Sequence, residues 1–252
     1  MSAVPLPEII AHRGNASEFP ENTLEALQSA VALGVKFVEF DVQLTADRVP
    51  VLFHDADLER VANRPELVHE LPWAQFADYS VGENKRFGNR YQSIRAPGLS
   101  EVAGALARWD GVTAFVEIKR SSIRKFGREV VLNRVIKVLQ PILDRCVLIS
   151  FDLPSLKIAR VMSQARIGWV LTQYDDAAYA EAKALAPEFL FANLERLPQE
   201  DAPLWQGPWN WAIYEVRDLR TAQKLRERGA RFVETMTVRG MMTAYEESKR
   251  QW

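Results

Sequence analysis

Cysteine occurs once in the 252 residues, as Cys146 in the apolar run CVLIS, so an intrachain disulfide framework and a cysteine-rich zinc site are excluded. A buried small hydrophobe is the ordinary state of such a residue. Histidine is scarce as well: there are three, at positions 12, 54 and 69. Net charge is nearly missing, since 32 basic side chains face 33 acidic ones, which argues against broad nucleic-acid binding and against strong adhesion to anionic membranes. No stretch approaches the ~18 uninterrupted apolar residues of a membrane span. The first ten residues, MSAVPLPEII, lack the basic region and long apolar stretch of a signal peptide. Internal repeats and low-complexity tracts are absent too. These absences point to a cytoplasmic chain with no nucleic-acid partner and no stable membrane insertion; they leave the oligomeric state open.

Hydrophobic residues at 48% and charged residues at 26% supply the core of an ordinary globular chain. Short apolar runs alternate with helical patterns along almost the whole length, the sequence form of repeated βα units. The strand candidates are EIIAHR, FVEFDVQL, VPVLFHD, AFVEIKR, CVLISF, RIGWVLT, FLFANLE, NWAIYEV and RFVET. Helix candidates lie between them, the first running from an Asn22 cap, with Glu25 three residues on, to Gly34. About eight such units in a chain of this length favour an α/β fold of the (β/α)8 TIM-barrel kind, with residues 1–252 as a single domain. Residues 56–98, rich in Pro, Gly and Asn, break the alternation and read as a small insertion after the second strand.

Side chains alternate faces along a strand, so in FVEFDVQL residues Glu39, Asp41 and Gln43 share one face and Val38, Phe40, Val42 and Leu44 the other. A solvated polar face is one reading of this pattern. In a barrel both faces are covered, and paired inward carboxylates then require a cation or a proton. FVEIK repeats the oddity with Glu117 and Lys119, which read either as a buried structural pair or as part of a hard oxygen site for Mg²⁺ or Ca²⁺. His12 and His54 both end apolar runs, where barrel enzymes place catalytic groups, and imidazole can give or take a proton near neutral pH. His69 falls in the insertion and reads as solvated or structural.

HRG at 12–14, PENT at 20–23, EFD at 39–41, HD at 54–55, EIK at 117–119 and SF at 150–151 together resemble the ordered signature of the glycerophosphodiester phosphodiesterases. The resemblance covers the first 150 or so residues and implies a (β/α)8 barrel with an insertion after the second strand. It implies metal ligands at Glu39, Asp41 and Glu117, catalytic histidines at His12 and His54, and phosphate-holding groups at Arg13 and Lys119. Gly14 would let the backbone approach the ligand, while Glu21 and Asn22 would brace the first loop. The last strand departs from the family pattern: Met236 stands where an aspartate is common, and Glu234, on the same face, is the candidate replacement. Tyr214 stands where a tryptophan is common.

The implied activity is metal-dependent hydrolysis of a small glycerophosphodiester to sn-glycerol 3-phosphate and an alcohol. One alternative is lysophospholipase D action, with Trp205, Trp209, Trp211 and the insertion forming an apolar cleft; the other is a non-catalytic sensor of a phosphate ligand. Core packing is the commoner use of such tryptophans. The basic stretch KRSSIRKFGR at 119–128 reads beyond Lys119 as a solvated loop able to attract anionic groups. Ser150 lacks a nucleophile-elbow pattern.

Overall fold

A computed structural model describes residues 6–198 and 202–250, so the first five residues weighed above for a leader lie outside the described part. Eight strands, β1 (Glu8–Ala11), β2 (Phe37–Leu44), β3 (Thr113–Ile118), β4 (Cys146–Ser150), β5 (Arg166–Val170), β6 (Phe189–Asn193), β7 (Asn210–Tyr214) and β8 (Ala230–Thr235), run parallel, each pairing with the next. β8 returns to β1 through Glu8 opposite Phe232, which closes the barrel. Helices on the outer face follow the strands, among them Leu24–Ala32, Leu99–Arg108, Arg128–Leu139, Leu153–Ser163, Asp176–Leu185, Leu219–Glu227 and Val238–Arg250.

One of the nine strand candidates, VPVLFHD, forms a strand outside the parallel barrel. Pro50–Leu52 folds back antiparallel on β2, with Leu52 opposite Val42. Only a tight turn separates the two, closed by Thr45 N donating to Val49 O at 3.1 Å, and a parallel partner would need a crossover of a dozen or more residues. The basic stretch is also not a loop. Arg120–Phe126 is a helix whose Ser122 and Ile123 are buried, and Ser122 Oγ accepts the Leu44 amide at 2.8 Å.

The alternation along β2 divides the interior as the barrel geometry requires. Val38, Phe40, Val42 and Leu44 pack outward against the helices with Leu27, Leu99 and Leu132. Inside the barrel, Ile10, Phe115, Val147, Phe189, Phe191 and Phe232 form an apolar floor, with Phe115 edge-on to Phe189 at 4.9 Å. This floor closes one end of the barrel to water and leaves the polar inward residues at the C-terminal ends of the strands. The insertion packs Leu58, Val68, Phe76 and Tyr91 into a core of its own with Phe53 just before it, and has a two-stranded sheet of Asp57–Leu58 and Arg64–Leu67. It docks on the first loop, where Tyr91 Oη donates to Glu18 O at 2.7 Å.

Cys146 is buried on β4, and burial pushes its thiol up to about 12. The native protein is therefore expected to resist thiol reagents at pH 8 and to label only after denaturation. Stoichiometric labelling of the folded protein within seconds would contradict this placement.

Candidate active site

β2 aims Glu39 and Asp41 into the barrel mouth, both fully enclosed at 2% and 1% exposure. β3 runs beside it with Asp41 in register with Glu117, so neighbouring strands bring their acids to one level. Oxygens of Glu39, Asp41 and Glu117 lie within 4.8 Å of one another, and a second group, His12, Glu39 and Glu234, meets the same limit. Glu39 belongs to both. Glu234 thus stands in the site from β8, while Met236 contributes a backbone carbonyl to Ser17 N at 3.1 Å.

The chain leaves β1 through His12 and turns sharply at Arg13, whose φ is 56°. That turn points the Arg13 amide at Glu39 Oε2, 3.0 Å away. The Arg13 guanidinium reaches Glu21 Oε1 at 2.9 Å and Asp41 Oδ2 at 3.2 Å. Lys119 Nζ bridges Asp41 Oδ1 at 3.0 Å and Glu117 Oε1 at 2.9 Å. Both expected phosphate-holding cations are therefore present at the mouth, each already paired with an acid, and the Glu117–Lys119 pair exists within the larger cluster.

One expectation for the first loop fails. Asn22 does not cap the first helix; Thr23 does, its hydroxyl accepting the Ala26 amide at 3.2 Å. Asn22 instead adopts φ 57°, a left-handed conformation that Asn tolerates. Its side chain donates to Asp41 Oδ2 at 2.8 Å and accepts the Asp41 amide at 2.9 Å. Gly14 makes room for the helix: a Cβ there would sit 2.5 Å from the Ala26 carbonyl carbon. With φ at 79° as well, Gly14→Ala is expected to destabilise the fold by roughly 1–3 kcal/mol in urea unfolding. An unchanged midpoint would contradict this packing.

His54 lies just past Pro50–Leu52, and its Nδ1 faces Asp55 Oδ1 at 2.6 Å. Asp55 in turn accepts from Arg60 Nε at 2.6 Å, and Arg60 donates to both Glu21 oxygens, at 3.0 and 2.6 Å. Gln43, third on the inward face of β2, donates to the carbonyls of Phe53, His54 and Asp55 and fixes that segment over the mouth. Its carbonyl accepts from Ser121 at 2.7 Å. Glu21 is further held by Glu83, which accepts the Glu21 amide at 2.7 Å. Sequence reading assigned no role to Asp55, Gln43, Arg60 or Glu83. Adjacency in HD and the shared face with Asp41 were signals for the first two; nothing local marks the others.

The charges settle unequally. Burial alone would raise the Asp41 carboxyl, but Lys119 and Arg13 outweigh it and hold the group well below its ordinary value. Glu39 is pushed well above its ordinary value by burial and by Asp41 and Glu234, and Glu234 likewise by burial and Glu117. Burial, with Arg13 beside it, depresses His12 and keeps its imidazole neutral. Glu39 Oε1, Glu234 Oε1 and His12 Nδ1 are buried without a hydrogen-bond partner. Unpaired buried oxygens next to a third carboxylate are a donor set that suits a hard divalent cation.

A cavity of about 100 Å³ at the mouth is lined by His12, Arg13, Glu39, His54, Glu117 and Lys119 on one side. Ile149, Phe151, Val170, Phe191 and Tyr214 form an apolar side, joined by Glu215 and Glu234. Tyr214 stands 6.5 Å from the His12 ring, its hydroxyl raised to about 12 by burial. Other candidates lie elsewhere. His69 sits on the short Val68–Glu70 turn of the insertion, and Ser150 Oγ donates to Ile118 O at 2.8 Å. Trp209 and Trp211 are buried in the outer core, and Trp205 stacks on Tyr174 at 3.8 Å. The cleft of tryptophans expected for an acyl chain is therefore not formed, because these rings pack between strands and helices.

The family model of the glycerophosphoryl diester phosphodiesterases matches residues 12–202, which takes in every acid and histidine of the mouth except Glu215 and Glu234. The chain belongs to this family. Among its relatives are glycerophosphodiester phosphodiesterase 1 of Mus musculus and the glycerophosphodiester phosphodiesterase of Caldanaerobacter subterraneus. The first is 34% identical over 110 residues, 44% of this chain and 33% of the mouse protein. The second is 32% identical over 155 residues, 62% of this chain and 62% of its relative. The matched part thus spans a third to three-fifths of these relatives. In three dimensions the barrel is similar to an Oleispira antarctica phosphodiesterase solved in complex with the product sn-glycerol-3-phosphate. The TM-score is 0.82 at 23% identity, with 96% of this chain and 97% of that one covered. A Parabacteroides distasonis glycerophosphodiester phosphodiesterase gives a TM-score of 0.77 at 18% identity, covering 96% and 98%. At such identities the likeness is one of fold.

Proposed function

We propose that the chain hydrolyses small glycerophosphodiesters to sn-glycerol 3-phosphate and an alcohol such as choline or ethanolamine, in a reaction that needs Mg²⁺ or Ca²⁺. The observation that carries this reading is the single cavity onto which two histidines, two cations and buried acids converge. Family membership and a fold neighbour that binds sn-glycerol-3-phosphate support it. A cytoplasmic setting belongs to the same proposal and is supported by the lone cysteine; no helix among the described residues is long and apolar enough to cross a membrane.

Glu39, Asp41 and Glu117 would hold the cation, with Glu234 beside them through Glu39. A bound cation would neutralise phosphate charge and ease ionisation of the attacking hydroxyl, water or the glycerol 2-hydroxyl. His12, buried and neutral, accepts that proton. His54, oriented by Asp55 at Nδ1, presents its other ring nitrogen and protonates the departing alkoxide. Lys119, with one N–H beyond its two carboxylate contacts, and Arg13 meet the phosphate charge. The apolar side of the mouth receives the carbon skeleton.

Phosphorus NMR of the products from glycerophosphocholine tests which bond breaks: glycerol 3-phosphate with free choline is expected. Phosphocholine with glycerol would overturn the assignment, and tight binding without turnover would favour the sensor reading.

A further inference from the structure

Next to the mouth lies a second, larger cavity of about 340 Å³, lined by Arg120, Ile123, Arg124, Gly127, Arg128 and Asp152. Three arginines and one carboxylate line it. That carboxylate is already committed: Asp152 receives Arg128 at 2.7 and 3.0 Å and also accepts from Ser155 N and Oγ at 3.0 and 2.6 Å. Arg128 is thereby fixed in place, a donor held in one orientation. Arg120 stacks on Phe151 with its guanidinium 5.0 Å from the ring centre. Arg124 is exposed on the same short helix.

Residues adjacent in the chain line the two cavities. Lys119 and Phe151 line the mouth, while their chain neighbours Arg120 and Asp152 line the groove. Phe151 lines the mouth and carries the Arg120 guanidinium on its ring, so a leaving alcohol that passes Phe151 meets Arg120 first. We propose that this groove is a subsite for the leaving alcohol and selects head groups that carry a phosphate monoester over cationic ones. Planar guanidiniums match a phosphate monoester through paired N–H donors, and the same arginines repel a quaternary ammonium. This proposal rests on the diesterase reading above.

The test compares kcat/KM for glycerophosphoinositol 4-phosphate and for glycerophosphocholine at one ionic strength, in wild type and in Arg120→Gln/Arg124→Gln. The expected result is that wild type favours the phosphorylated head group and that the double variant lowers the ratio of the two values about 10-fold, through KM. An unchanged ratio in a variant that turns over either diester would overturn the subsite while leaving the diesterase reading intact. Calorimetry with inositol 4-phosphate alone reads the groove without catalysis. Affinity that falls about 10-fold in the variant supports the subsite even if neither diester is cleaved, in which case it is the diesterase reading that fails; equal affinity overturns the subsite.

Discussion

His12→Ala or His54→Ala is expected to lower kcat on a glycerophosphodiester by roughly 10²–10⁴-fold while leaving the fold intact. Each histidine has one job in the proposed reaction, and the structure separates the two environments. His12 is enclosed between Glu39, Arg13 and Tyr214 and is kept neutral by burial. His54 is more open, and its Nδ1 is taken by Asp55. Removing either leaves a proton transfer to solvent, so the two losses are expected to be non-additive in the double variant, as for residues acting as one unit. Asp55→Asn keeps the shape but removes the carboxylate behind His54; a smaller kcat loss than His54→Ala, with little change in KM, is expected. Wild-type turnover in a well-folded His12→Ala/His54→Ala protein would sink the assignment. Circular dichroism and urea unfolding of the variants supply the check on folding.

Glu117→Gln is expected to raise the cation concentration needed for half-maximal activity by at least roughly 10–100-fold. The substitution keeps volume, and its amide would still lie beside Lys119, but it takes one charge from a cluster that holds three carboxylates within 4.8 Å of each other. The pH dependence follows from the same cluster. Glu39, Glu117 and Glu234 are all raised above the ordinary carboxyl value, chiefly by burial. Without a cation, each of these groups holds its proton to a higher pH than in the unfolded chain, and its contribution to stability is present at low pH and fades as pH rises through the raised value. A cation must displace those protons, so its apparent affinity is expected to fall as pH falls. Titration of activity with Mg²⁺ and Ca²⁺ at several pH values reads both effects. Equal cation requirements in wild type and Glu117→Gln would contradict the ligand role.

How far these features are visible in the sequence depends on the range of the interaction. Period-two alternation placed Glu39 and Asp41 inward and Val38 and Phe40 outward, because a strand leaves no other choice. Glu234 is legible only with the family pattern in hand, through the face it shares with Met236, where an aspartate is common. Pro50–Leu52 is a strand as its apolar run predicts, but such a run has the same form whether it crosses back or turns back, so its antiparallel direction is not legible. Asn22 was misread as a cap because the left-handed turn at that residue depends on Asp41, 19 positions away, which takes its side chain. Arg60 and Glu83 reach the site from the insertion by contacts spanning 39 and 62 positions, and no local pattern records such distances. The helix Arg120–Phe126 is too short and too basic to carry a clear period.

The central claim is most directly tested by release of sn-glycerol 3-phosphate from glycerophosphocholine and glycerophosphoglycerol by the purified protein, with EDTA and after re-addition of Mg²⁺ or Ca²⁺. Release that EDTA abolishes and a cation restores is the predicted result; no release from either diester with any cation, or release indifferent to EDTA, would contradict it.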